Sequence, residues 1–340
     1  MQSQSARQAV LTATYNGKDI TAELQRYLLG FTYTDNYAGQ LDDLQIDLDD
    51  RERLWQSTWS PAAGDTIDAR IKTINWRGPN EFAFLPCGKF DVDSGTLSGP
   101  PDRYQLRALS LPAGSSASRE RRTRAWEKVK LKTLAADIAK SARLVLLYEA
   151  TDNPLYDRVE QTDQTDLMFL LEQCAREGIA IKVTNGKLVL FDEAEYEGRS
   201  PIATLQRNEA TSYSFEWSTV DAAYRACELT YTDSKNKTLK VTYTPPDAPQ
   251  KGPVLRVRDS ASSEAEALRV ARKRLREQNK NYGRASLALP GDTRMAAGST
   301  ITTSGWGRFD GKYIIERAKH TIGGAGAYTT DIEIRKVLGW

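Results

Sequence analysis

Residues 163–193, DQTDLMFLLEQCAREGIAIKVTNGKLVLFDE, change character midway, and that change decides how the chain is read. The first half carries Leu167, Leu170, Leu171 and Cys174 at the i, i+3, i+4, i+7 spacing of one apolar helix face. Asp163 can cap the N-terminus, with Asp166 three positions on, a capping box with Asp in place of the usual Glu. Gly178 follows Arg176 and Glu177 as a stop signal. Beyond it the period shortens to two. Ile179, Ile181 and Val183 alternate with small or polar neighbours, and Leu188 and Leu190 resume the alternation. Between them Asn185-Gly186 suits a tight hairpin turn, because both positions must accept positive φ. The stretch predicts a compact αββ unit with one buried side.

On the N-terminal side the pattern is β. Asn16-Gly17 marks another hairpin, and Thr21 to Tyr27 reads as a short helical turn or a loop. In LDDLQIDLDD (41–50) Leu44, Ile46 and Leu48 point one way and Gln45, Asp47 and Asp49 the other, a half-exposed strand. Residues 64–76 give a second such strand, and 89–111 two more around a Gly/Pro loop. Their spacing suits a small antiparallel barrel. Small and polar residues then lead into a basic cluster, Arg119, Arg121, Arg122 and Arg124. A helix over 131–144 follows, with Leu131, Leu134, Ala135, Ile138 and Ala142 on one face.

On the C-terminal side, residues 201–258 read as β, with a turn at Asp233–Asn236 and a connector over 248–260. Residues 262–283 form the clearest helix, with a Ser263/Glu266 capping box and Arg272, Lys273, Arg274 and Arg276 at the negative end of its dipole. The rest alternates between Gly turns, a second small barrel or sheet. The expected class is mainly β with an α/β insert. Its parts are a first barrel over 1–111 completed by 205–250, the insert over 112–204, and helix plus second barrel over 251–340.

Composition narrows the function classes. At 340 residues, two or three domains are expected. Lys and Arg number 47 against 45 Asp and Glu, so net charge makes no case for nucleic acid or an anionic membrane. No apolar run reaches the ~18 residues of a membrane span, so no membrane anchor is expected. MQSQSARQAV lacks a signal-peptide core, which reads as cytosolic synthesis. Cys87, Cys174 and Cys227 form no CxxC and no disulfide framework.

Chemistry is sparse. His320 is the single histidine, in an alternating strand, and reads as a surface or interface imidazole. A metal site needs several His or Cys ligands, which this chain cannot supply, and no cofactor is expected. Asp42-Asp43 and Asp49-Asp50 bracket a strand and read as solvated edge or loop charges, with a cell-wall hydrolase as the competing function. GGAGAY (323–328) lacks the Lys-Ser/Thr of a phosphate loop, and SGWGRFDG (304–311) is a turn with an exposed aromatic, Trp306. Arg119–Arg124 reads as a solvated loop or a protein contact rather than a nucleic-acid site, since no aromatic interleaving accompanies it. With 7 Trp and 15 Tyr and no evident site, a protein that works by contact is favoured.

An ordered set of stretches adds to this: YNGKDITAEL (15–24), YTDNYAGQLDDLQIDLDD (33–50), PAAGDTIDARI (61–71), CGKFDVD (87–93), RAWEKVKLKTLAADIAKSARL (124–144) and VEQTDQTDLMFLLEQCAREGI (159–179). Together they closely resemble the phage late control D family, the baseplate hubs of contractile tails, and are similar to the hub half of the type VI secretion spike, VgrG. The resemblance implies a noncatalytic homotrimer in which each chain donates two similar β-barrels. Three chains then make a pseudo-sixfold ring between a hexameric tail tube and a threefold spike. It also implies contacts with other baseplate proteins and the tape-measure protein, and DNA only as passing cargo. The insert would brace a neighbour, and the interface candidates are Leu167, Leu170, Leu171, Arg121 and Arg122 in the insert and Trp306 in the C-terminal unit. Since the sequence stops at Trp340 with no long β-helical spike, the spike is expected to be a separate partner.

Overall fold

In a computed structural model, which describes residues 6–340 apart from 220–222, 233–236, 247, 260, 262 and 324–325, LDDLQIDLDD becomes the strand Asp43–Asp49. Its alternation buries Leu44, Ile46 and Leu48 completely. The strand pairs antiparallel with Leu28–Asn36 on one side and Arg103–Leu109 on the other. Phe82–Ser98, Thr66–Ile74 and Gln8–Tyr15 extend the sheet in that order, and helix α1 (Thr21–Tyr27) packs beside them. Phe31, Leu11, Ile71 and Phe90 join the three strand residues in one core.

A second antiparallel group follows the insert. Ser212–Trp217, Gly283–Pro290, Tyr328–Lys336 and Gly311–Gly323 are successive neighbours, and Leu287, Ile301, Ile315, Ile332 and Ile334 lie in its core. Gly311–Gly323 also pairs with Leu28–Asn36, which welds the two groups into one 13-stranded sheet. Two closed cylinders were expected, and the sheets do not close. Leu28–Asn36 has neighbours on both edges, one from each group, and among the described residues Ser212–Trp217 pairs only with Gly283–Pro290, where the sheet ends. Residues 205–250, expected to complete the first unit, place their strands elsewhere. Thr204–Gln206 lies beside Thr300–Ser304, Ser212–Trp217 sits on the second group, and Ala226–Thr232 and Thr238–Tyr243 form a separate sheet with Val254–Arg258. The turn expected at Asp233–Asn236 lies outside the described residues, as does part of GGAGAY.

The insert contains α2 (Leu131–Ser141) and α3 (Asp166–Arg176) over a sheet of Ile179–Thr184, Lys187–Asp192 and Val145–Tyr148. Leu131, Leu134 and Ile138 meet Phe169, Leu170 and Cys174 in its core. Asn185 and Gly186 take φ of 48° and 70°, as the hairpin turn requires. A ribbon of Arg121–Lys130 and Leu155–Thr165 flanks the module, so the basic cluster lies largely on a strand rather than a loop. α4 (Glu193–Gly198) leads out of the insert, and α5 (Glu264–Asn279) covers the small sheet through Ala267, Ala271 and Leu275. The connector expected over 248–260 contains the strand Val254–Arg258.

Candidate functional site

Asp166 was expected to close a capping box. Instead it is a fully buried carboxylate on which one side of the insert converges. Arg124 reaches its Oδ1 at 2.7 Å and Gln161 at 3.0 Å, while Ser141 and Arg122 reach Oδ2 at 2.9 and 3.3 Å. The N-cap is Thr165, which accepts from the Met168 N–H, whereas Asp163 stands at φ 46° in the preceding strand. The basic cluster is therefore spent inside the chain: Arg119 pairs with Asp93, Arg121 with Asp163, Arg122 with Glu120 and Asp166, and Arg124 with Asp166.

The six interface candidates divide. Leu167 and Leu171, with Met168, Leu41, Ile181 and Val183, line an open apolar groove of about 250 Å³ between α3 and the chain around Gly39. Arg121 is exposed, its ion pair with Asp163 lying in solvent. Leu170 is fully buried, because position i+3 of this helix turns toward α2 rather than outward. Arg122 turns inward to Asp166. Trp306, expected to be exposed, is buried against Tyr213 and Phe215, since the glycine turn folds back over the end of the second core.

Two ionic joints went unseen in the sequence. In the first, Lys182 of the insert reaches Asp35, Asp42 at 3.2 Å and the Asn36 carbonyl at 2.6 Å. Asp35 also accepts from the backbone N–H of Ala297, so one carboxylate ties together the first group, the insert and the second group. Burial raises Asp42 to about 6 despite the opposing pull of Lys182, and its Oδ2 has no hydrogen-bond partner among the described residues. Burial alone would lower Lys182, but Asp35 and Asp42 outweigh it and the ammonium is held above its ordinary range. In the second joint, Arg335 is 1% exposed and reaches Glu197 at 2.7 Å, Glu316 at 2.9 Å and Glu193 at 3.4 Å. Arg276 of α5 holds the other oxygen of Glu197 at 2.9 Å. A signal existed for the first joint: Asp35 continues the alternation of Phe31 and Tyr33, placing a carboxylate on a core face.

The remaining candidates have structural partners. His320 is fully buried rather than at a surface; its Nε2 donates to the Met295 carbonyl and its Nδ1 accepts from the Tyr328 hydroxyl, each at 2.8 Å. Burial depresses its pKa. Asp42 is engaged with Lys182, and buried Asp50 accepts from the Trp55 N–H at 2.9 Å and from Gln56 at 3.1 Å. A strand rise of ~3.3 Å per residue puts Asp43 and Asp50 roughly 20 Å apart, beyond the ~5–10 Å that paired hydrolytic carboxylates need. Among the described residues no group of three His, Cys, Asp or Glu is placed to hold a metal. No described helix is long and apolar enough to cross a membrane.

Residues 94–326 match the family described as phage tail baseplate hub (GPD). A probable baseplate hub protein of Escherichia phage 186 is 28% identical over 207 residues, 59% of this chain and 51% of that one. The chain spans about half the length of the curated relatives it matches. Among solved structures, a tail protein of Neisseria meningitidis superposes with a TM-score of 0.71 at 13% identity over 97% of each chain. An E. coli component of the type VI secretion system superposes with a TM-score of 0.55 at 12% identity, over 91% of this chain and 73% of that one.

Proposed function

The chain belongs to the phage tail baseplate hub family, and from that premise we propose that it is the structural hub of a contractile tail or injection machine, acting as a homotrimer and without catalysis. The observation that carries this reading is the joint between Leu28–Asn36 and Gly311–Gly323, which fuses two antiparallel groups of similar size into one rigid sheet. Three copies of such a pair present six β units around a threefold axis, a direct way to match a sixfold tube on one side to a threefold spike on the other. Under this reading the two groups are the tube domains, and the insert, with its apolar groove between α3 and Gly39, faces a neighbour or another baseplate protein. Tape-measure protein and DNA pass through the centre without being bound. Synthesis takes place in the host cytoplasm, before incorporation into a virion or a phage-tail-like particle.

Light scattering on the purified chain, alone and with its spike protein, tests this. The expected mass is three chains, and a monomer in both samples contradicts the reading.

A further inference from the structure

Lys182 leaves the insert strand Ile179–Thr184 and ends among groups of the first β group. Its Nζ donates to Asp35 Oδ1, to the Asn36 carbonyl at 2.6 Å and to Asp42 Oδ1 at 3.2 Å. The other oxygen of Asp35 accepts from the Ala297 N–H at 2.8 Å. Asp42 Oδ1 also accepts from the Asn36 N–H at 2.9 Å, while its Oδ2 is buried with no hydrogen-bond partner among the described residues. Both carboxylates are buried, and so are Tyr33 and Tyr37, which flank Asp35 in the chain. The backbone is held as well. The Gly39 N–H donates to the Ile181 carbonyl at 3.0 Å, which clasps residues 36–42 to the strand that carries Lys182.

Ion pairing with Asp35 alone would satisfy Lys182. It leaves a second carboxyl, Asp42, desolvated beside the pair with one oxygen unused. Amide formation gives every part of the cluster a role. An amine fixed against a carboxyl is a nucleophile held at its electrophile, in a geometry that needs no further encounter. The Ala297 N–H donates to the one oxygen of Asp35 that Lys182 does not touch, where negative charge develops as the carbonyl carbon is attacked. Asp42 lies within reach of the amine, and burial favours its protonated form, so it can carry protons between nitrogen and oxygen.

We propose that Lys182 and Asp35 condense within the folded chain to an isopeptide bond that joins the insert to the first β group, with Asp42 moving the protons. The ammonium passes one proton through Asp42 to Oδ1 of Asp35, which leaves a neutral amine beside a neutral carboxyl. The amine attacks Cγ and the C–N bond forms, while the charge on Oδ2 lies against the Ala297 N–H. Asp42 takes a second proton from the nitrogen and returns it to Oδ1. The Cγ–Oδ1 bond breaks and water leaves. Ammonium and carboxylate have then become one neutral amide and one water, Asp42 ends as it began, and no other reactant enters. Lys182 favours its charged form, which makes the step slow, yet one turnover in the life of a chain is enough. The exchange also removes two buried charges and their desolvation cost. The bond is internal to one chain and does not depend on the trimer.

The test is the intact mass of the full purified chain, stored folded at neutral pH and then denatured. The expected mass lies below that of the sequence by one water. A tryptic digest is expected to contain a branched peptide that joins residues 27–51, which include Asp35, to residues 177–187, which include Lys182. Lys182→Arg keeps the charge without a nucleophile that can form the bond, and Asp42→Asn removes the proton carrier, so both are expected at full mass. A wild-type chain of full sequence mass after that storage overturns the proposal. A loss of one water without the branched peptide also overturns it, because the dehydration then lies elsewhere. Linkage that persists in Asp42→Asn overturns the role given to that carboxyl. The wild type alone decides whether the bond forms, so a variant that fails to fold leaves the test intact.

Discussion

Asp35 occupies a position where alternation calls for an apolar side chain, and Lys182 reaches it from another part of the fold. A buried carboxylate of this kind is tolerated only with a cation and N–H donors around it, and here Lys182 and Ala297 supply them. Asp42 is the less satisfied partner. Its folded-state pKa of about 6 lies above the ordinary 3.8. The folded protein therefore holds this proton more tightly than the unfolded chain does. The Asp42 contribution to stability is complete below about pH 4 and is lost as pH rises through its folded value. Asp42→Asn removes that dependence. In urea unfolding at about pH 4 and about pH 6.5, the wild type should lose about 2 kcal/mol relative to the variant between the two conditions. A constant difference would mean that Asp42 does not titrate in this window. His320, by contrast, is a core residue whose two ring nitrogens are both engaged.

The helices that sequence periodicity describes well are those with a strong apolar stripe, with a side-chain cap in one case and without it in the other. The helix expected over 262–283 runs Glu264–Asn279, with Ser263 as the N-cap accepting from the Glu266 N–H. The one expected over 131–144 runs Leu131–Ser141. The Asn185-Gly186 hairpin forms in the expected register, with Thr184 opposite Lys187. Gly186→Ala tests the turn: nothing lies within 4 Å of the added Cβ, so the cost is conformational alone. A left-handed Ala costs about 1–2 kcal/mol, and the urea midpoint should fall accordingly, with the far-UV spectrum unchanged. An unaltered midpoint would remove the turn from the account. Leu155–Thr165 was missed because LYDRVEQTDQT is polar almost throughout; it buries only Val159 and Gln161 and is held as a strand by Arg121–Lys130. Val254–Arg258 was missed because a strand of five residues between prolines, glycines and charges has no period of its own.

At the scale of the whole molecule, stability concentrates where modules meet. Arg335 neutralises Glu193, Glu197 and Glu316, and Arg276 shares Glu197, so α4, α5 and the second β group depend on one another. Arg335→Met leaves these carboxylates facing one another with little water. Breaking a buried pair in this way costs about 3–5 kcal/mol, which a urea titration reads directly, and a loss under 1 kcal/mol would show that the joint is not structural. By itself the amino-acid sequence determined the helices over 131–144 and 262–283, the Ser263 cap, the hairpin turns and the family, because each is written in neighbouring residues through period, cap chemistry and φ tolerance. Only the tertiary structure decided that the two β groups share one open sheet, that Leu170, Trp306 and His320 face inward, and that Asp35, Lys182 and Arg335 hold the modules together. Those outcomes depend on which distant strand supplies the second edge or the compensating charge, and no local pattern carries that information.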